Sequence, residues 1–255
     1  MPSFGSGRDI TEARNGFLDS LGAADRHLLA PLLFSVRCET GEKLGSGARA
    51  GLLIYFPVTL VACLQFTRQR CGVGLVGREG IVGWAAVLGD RGDGDSEATV
   101  LLDGGWALAI SVDEMQRACH SSATLSLGLA RFLQSYTIQL EGMIRARDRG
   151  NLKERLCAWL LMLHDRVDSD FLHVTHSDLA AQLGVRRASV TDTLHILEGE
   201  SCLKCSRGMI YVVDRAHLKR SAGVSYEQLR LPTRQSLPGI CVGKPLTEVR
   251  AVAHA

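Results

Sequence analysis

No apolar run in the sequence approaches the roughly 20 residues that a bilayer-spanning helix needs, which excludes a helical membrane anchor. The start, Met1 to Asn15, is polar and Gly-rich and lacks the basic-then-apolar plan of a secretory signal. Both absences point to a cytoplasmic protein, whose eight cysteines are expected as thiols. Those cysteines are scattered, and only Cys202 and Cys205 form a CxxC. With no second pair and no His partners nearby, the spacing favours two small residues in a strand pair over zinc. A net charge of +2 is too small to announce nucleic acid, so any such signal has to be local. There is no nucleophile elbow, no HExxH and no Walker loop, so neither an enzyme nor a cofactor is expected. His164, His173 and His176 with Asp165 and Asp178 read as loop and cap residues rather than as a metal cluster.

What is present suits one large or two modest globular domains. Hydrophobic residues make up 46 % and charged residues 22 % of the 255, enough for a real core. The first half is β-rich. Leu52–Phe56, Leu60–Phe66, Val73–Val76, Ala98–Leu102 and Trp106–Ile110 are short apolar or alternating runs punctuated by Gly and Pro, a pattern of small sandwiches or barrels. Asp103-Gly104-Gly105 reads as a hairpin turn. Gly89 to Asp95 reads as a flexible polar loop without the ligand spacing of a calcium site. The middle turns helical. Leu125, Leu129, Phe132, Tyr136, Leu140 and Met143 recur at steps of four, three, four, four and three. That stripe either packs on its own domain or pairs with the same helix of a second chain. Its length favours the second, a homodimer seam. The Arg145–Gly150 stretch marks a domain boundary, and Leu152–His164 reads as an amphipathic helix with Leu156, Trp159, Leu160 and Leu163 inward.

Thr175 to Leu197 carries the strongest signal. Thr175 and Asp178 form a capping-box-like start, and Leu179, Ala180 and Leu183 share one helical face. Gly184 supplies the left-handed residue that ends this helix, and Val185 drops inward. A second helix turns Val190, Leu194 and Leu197 to the core and exposes Arg187, Ser189, Thr191 and Asp192, with Arg186 near its start. An ordinary helical hairpin explains two arginines there poorly, because basic charge opposes the dipole at a helix N-terminus. An anion resolves the conflict, and the major groove of duplex DNA offers one. Beyond it, Leu203–Cys205 and Met209–Val213 read as an antiparallel wing around Ser206-Arg207-Gly208. Arg207 then either approaches the DNA backbone or is a solvated turn residue. From Arg186 to Ala222, seven Lys/Arg face four acids, a mild basic bias.

Over about residues 25–222 the chain resembles the Crp/Fnr family, most specifically in Leu179–Leu197 and the wing. The resemblance implies an α+β fold: an N-terminal β-roll of the cyclic-nucleotide-binding-like jelly-roll kind, a long dimerisation helix and a C-terminal winged helix-turn-helix. It implies boundaries of 1–24 for an N-terminal arm, 25–121 for the β-roll, 122–148 for the helix and 149–222 for the DNA-binding domain. Residues 223–255 are then a poorly ordered extension. It places Arg186, Arg187, Ser189 and Asp192 against DNA, with Thr191, Thr175, His176 and Arg207 completing the candidate interface. Ala188 and Asp192 depart from the best-known members, which carry Glu and a basic residue there, so a different operator is expected.

The effector pocket departs further. Cyclic-nucleotide-binding members carry a Glu for the ribose and a following Arg for the phosphate. The matching segment is Val82–Ala86, with Trp84 at the Glu position and Ser96 or Glu97 at the Arg position, unless Arg91 stands in. Tryptophan cannot accept a hydroxyl's hydrogen bond and an acid repels phosphate, so cyclic AMP is not expected by the usual route. Gly77, Arg78, Glu79, Gly80, Gly83 and Trp84 are the candidate effector residues. The glycines either admit a phosphate to backbone N–H groups or serve as bulges and turns. The first cysteine is Cys38, too late for the iron–sulfur relatives, while Cys63, Cys71 and Cys119 are thiol sensors or packing residues. The partners implied are duplex DNA, a second copy of the chain, RNA polymerase and an unknown small-molecule effector, with no membrane. The alternative is a second-messenger or redox sensor that acts through protein contacts and binds DNA weakly or not at all.

Overall fold

The computed structural model describes residues 14–44, 53–66, 71–89 and 96–229. Two short helices come first, α1 (Gly16–Ser20) and α2 (Ala23–Leu29), followed by a 3-10 turn at Ala30–Leu32. Asn15 caps α1 and sends its amide to the carbonyls of Pro57 (2.9 Å) and Gly80 (3.0 Å). Phe17, Leu18 and Leu21 are buried in the same core as the strands. The expected arm at 1–24 is therefore corrected: from Asn15 onward the chain belongs to the β domain, because its apolar residues have nowhere else to be dry.

The strands are β1 (Phe34–Cys38), β2 (Lys43–Leu44), β3 (Leu53–Pro57), β4 (Val61–Phe66), β5 (Gly72–Val76), β6 (Ser96–Leu101) and β7 (Gly105–Ser111). They form two antiparallel sheets, ordered β1-β7-β3 and β2-β6-β4-β5. The Asp103–Gly105 hairpin is a second correction. β6 and β7 belong to different sheets, so this turn carries the chain from one layer to the other. A four-residue helix, α3 (Trp84–Val87), interrupts the strands. The loop read at Gly89–Asp95 lies, past Gly89, outside the described residues, and so does Arg91.

Ser111 and Glu114 make a capping box that starts α4 (Val112–Ser121), and Ser122 caps the long α5 (Ala123–Arg149). Leu125, Leu129, Phe132 and Tyr136 are 0–7 % exposed within one protomer, packed on the β core. The stripe read as a dimer seam is thus covered by the chain's own sandwich, and Leu140 and Met143 continue it half-buried. The 3.5-residue rhythm named the buried face correctly but not its partner, because any apolar surface satisfies it.

A second capping box, Asn151 with Glu154, begins α6 (Leu152–His164). Every residue from Leu156 to Leu163 is buried, so α6 is not amphipathic as expected but enclosed. The helix is covered by α9 (Arg215–Leu229), by the helices described below, and by Val61, Cys63 and Leu75 of the β domain. α9 also corrects the poorly ordered extension at 223–255 in its first residues. Beyond a kink at Gly223, Tyr226 is buried, donates from its hydroxyl to Asp165 at 2.7 Å and accepts from Arg215 at 2.9 Å. Among the described residues, no helix is long and apolar enough to cross a membrane.

Candidate nucleic-acid interface

The remaining elements build the motif read at Thr175–Leu197: β8 (Phe171–Leu172), α7 (His176–Leu183), α8 (Arg187–Gly199), β9 (Leu203–Ser206) and β10 (Met209–Val212). Thr175 caps α7. Its hydroxyl donates to Asp178 (2.6 Å) and accepts the Asp178 N–H (3.1 Å), the expected box with Asp in the Glu position. Gly184 ends α7 at φ +65°, ψ +40°, a left-handed pair that a side chain would strain. The Val185 N–H returns to the Ala180 carbonyl at 3.0 Å, which swings the chain into α8. Val190, Leu194 and Leu197 of α8 are fully buried, as expected from their spacing.

The head of α8 is chemically unfinished. Arg186 is the N-cap residue and supplies no side-chain cap, so the first N–H groups of the helix have no side-chain acceptor. Arg186, Arg187 and Ala188 are exposed, and neither arginine has a carboxylate partner among the described residues. Uncapped N–H groups, a positive dipole end and two solvated guanidiniums all favour an anion at this place. Ser189 is half-buried beside them, and Asp192 is exposed one turn on.

Other expected interface residues are placed differently. His176 Nδ1 lies 2.9 Å from Thr191 Oγ1, and the Thr191 hydroxyl donates to the Arg187 carbonyl at 3.1 Å. This pair bolts α7 to α8. Burial, and then the charges of Arg187 and His195, hold the His176 imidazole below its usual range. The wing is a two-residue hairpin with Ser206 opposite Met209, and it presents Arg207 to solvent. β8 adds a third strand that was not read from the sequence, since two residues carry no periodicity. Lys204 is also exposed on the wing. Arg215, counted in the local basic bias, is instead held by Asp165 and Tyr226.

The expected effector segment is mostly consumed by internal contacts. Arg78 pairs with Asp168 at 2.7 Å, and Glu79 accepts from Arg166 at 2.8 Å and from the Gly77 N–H at 3.1 Å. A Cβ on Gly80 would lie 2.5 Å from the Phe132 ring, and one on Gly77 would lie 2.8 Å from Arg166 Cγ. These glycines make room for side chains of this chain, and the Gly80 N–H closes onto the Gly77 carbonyl at 3.0 Å. Gly83 supports the start of α3 at φ +86°. Trp84 packs edge-on against Tyr136, with ring centres 6.4 Å apart. Glu97 is buried and paired with Lys43 at 2.8 Å.

The thiols resolve toward packing. Cys63 is fully buried and Cys71 nearly so, and burial raises the pKa of Cys63 and of Cys119, against the thiolate that a redox sensor needs. Cys202 and Cys205 flank and enter β9 as a strand pair. Glu200, Cys202 and His217 offer ligand atoms within 4.8 Å of one another. Lys153 donates to one oxygen of Glu200, Oε1, at 2.5 Å, and the other, Oε2, is buried with no hydrogen-bond partner among the described residues. His164, His173 and His176 face Asp170, Asp103 and Thr191 respectively, three separate places.

Residues 154–221 match the family model described as a Crp-like helix-turn-helix domain. No curated protein matches the chain in sequence. Among the solved structures that share the fold are two CRP-family transcriptional regulators and FixK2. A CRP/FNR-family transcriptional regulator from Thermus thermophilus is 21 % identical, with 74 % of this chain and 98 % of that chain covered and a TM-score of 0.61. A second CRP-family regulator from that organism is 22 % identical, covering 74 % and 96 %, with a TM-score of 0.58. FixK2 from Bradyrhizobium japonicum is 16 % identical, covering 74 % and 96 %, with a TM-score of 0.59. The chain therefore carries a Crp-like helix-turn-helix domain on the fold of Crp/Fnr regulators.

Proposed function

We propose that the protein is a homodimeric transcription regulator of the Crp/Fnr type that reads a near-palindromic operator through α8. The carrying observation is the pair of exposed, carboxylate-free guanidiniums at an uncapped helix head. Arg187 is the base-reading candidate, able to fork onto guanine, while Arg186, Ser189, Thr175 and Arg207 suit phosphates. Asp192 biases the choice of base. Selection of bound sequences from a random duplex pool tests this reading. A palindromic consensus is expected, and uniform recovery of all sequences would overturn it.

Dimerisation, in this reading, uses the face of α5 that the β domain leaves open, where Leu127 and Ile138 are 47 % and 43 % exposed. They stand eleven residues apart, three helical turns, and so share a stripe. Sedimentation velocity on Leu127→Glu/Ile138→Glu should show a dimer weakened at least about tenfold, in keeping with two charges on a packed seam. An unchanged dimer would remove this face from the account.

Cyclic AMP by the usual route is disfavoured. Trp84 fills the ribose-binding position, and Glu97 puts an acid near the place where the phosphate would lie. Location in the cytoplasm, contact with RNA polymerase and response to a small effector complete the reading.

A further inference from the structure

A cavity of about 480 Å³ lies where the β domain, α5 and the helix-turn-helix domain meet, within the range of small-molecule sites. Its body is apolar and partly aromatic: Trp84, Tyr136, Leu140, Met143, Trp159 and Leu183. Two guanidiniums border it. Arg147, near the end of α5, donates to the Cys71 sulfur at 3.1 Å, and Arg155, on α6, donates to the Leu183 carbonyl at 2.5 Å. Neither arginine has a carboxylate partner among the described residues, while Arg78, Arg145, Arg166 and Arg215 all do. The two charges therefore repel each other across a half-buried space, and Arg155 is pushed below its usual range by burial and then by Arg147. A third polar group stands at the wall. The Tyr136 hydroxyl is buried over Gly74, in a residue only 2 % exposed, and has no hydrogen-bond partner among the described residues.

We infer that this interdomain cavity binds a small organic acid, its aromatic or alkyl body between Trp84 and Trp159 and its carboxylate between Arg147 and Arg155. The anion relieves the repulsion, and its contact with the half-buried Arg155 is stronger than one in water. The monoanion suits the walls, since a more highly charged headgroup would carry more charge against the apolar lining. The site touches both halves of the molecule. Leu183 is the last residue of α7, immediately before the turn that leads to Arg186. As an effector site it rests on the regulator reading, and it names the chemical class that reading leaves open.

The test is calorimetry on the full-length protein with 2-naphthoate as probe and 2-naphthamide as the uncharged control of equal shape. The acid should bind at least tenfold more tightly than the amide. Arg147→Gln, at an exposed side chain, should weaken acid binding several-fold more than amide binding and so narrow that preference. Met143→Trp should fill the cavity and abolish binding of both, and the far-ultraviolet circular dichroism of each variant checks its fold. No heat from the acid at millimolar concentration, or acid binding indifferent to both substitutions, overturns the inference. Duplex binding is measured on the same samples. Loss of duplex recognition with intact acid binding would sink the regulator reading alone, and the reverse would sink the cavity alone.

Discussion

At the head of α8, Arg186 and Arg187 stand exposed with no carboxylate partner among the described residues. On the turn after β5, Arg78 and Glu79 are tied to Asp168 and Arg166 of the helix-turn-helix domain. Both segments place charge beside glycine, and both look like anion sites in one dimension. They differ in what the fold brings opposite them. At α8 no carboxylate or side-chain cap arrives among the described residues, so charge and uncapped N–H groups remain available to a partner. At Gly77–Gly83 the other domain arrives, and the charges become a clasp. A charged motif marks a binding site only when the fold leaves it unanswered.

The largest expected effect comes from breaking the clasp. Arg166 is 5 % exposed in its side chain, so Glu79→Gln leaves a buried guanidinium without its counter-charge. Stability should fall by about 3 kcal/mol. The residual bonds of Arg166 to the carbonyls of Met162 (2.7 Å) and Leu75 (3.5 Å) soften the loss. Urea unfolding followed by tryptophan fluorescence measures it, and an unchanged midpoint would erase the contrast between the two regions.

Arg187→Ala comes next. Specific duplex affinity should drop by about 1–3 kcal/mol with little change in stability, since the side chain is exposed and has no carboxylate partner among the described residues. Fluorescence anisotropy at fixed salt gives the number. If the variant binds its selected operator as the parent does, α8 is not the reading helix. Arg207→Ala should act more weakly and without regard to sequence, lowering the slope of log affinity against log salt by about 1.

The smallest effect is in pH. The depressed His176 takes its proton later in the folded than in the unfolded chain. Its contribution to stability is thus full above the ordinary value of 6.5 and declines as the pH falls below it. His176→Gln should flatten that part of the stability profile. A profile identical to the parent's between pH 7 and 5 would show that burial and the charges of Arg187 and His195 do not hold the imidazole neutral.

Much of the reading head was legible residue by residue. Thr175, Gly184, Val190 and Leu194 each obey a local rule, and local rules survive folding. The five strand runs were legible for the same reason, to within a residue or two. The partner of the α5 stripe was not, because Leu125 to Tyr136 satisfy a second helix and a β-sandwich equally well. The enclosure of α6 was missed because its coverings, α9 and Leu75, lie far away in sequence. Arg147 and Arg155, on either side of a Gly150 read as a boundary, gave no sign of facing one space. Two nearby cations are common on solvated helices, and only the cavity sets these apart.

The order of helices and strands, the caps, and the arginines at the second helix of the turn follow from the amino acids alone. Propensity, capping and periodicity act over a few residues. Which charges are cancelled, which apolar face is covered and where a hollow remains were decided by the docking of one domain on the other. Those depend on contacts between residues as distant as Glu79 and Arg166, and no window of sequence contains both.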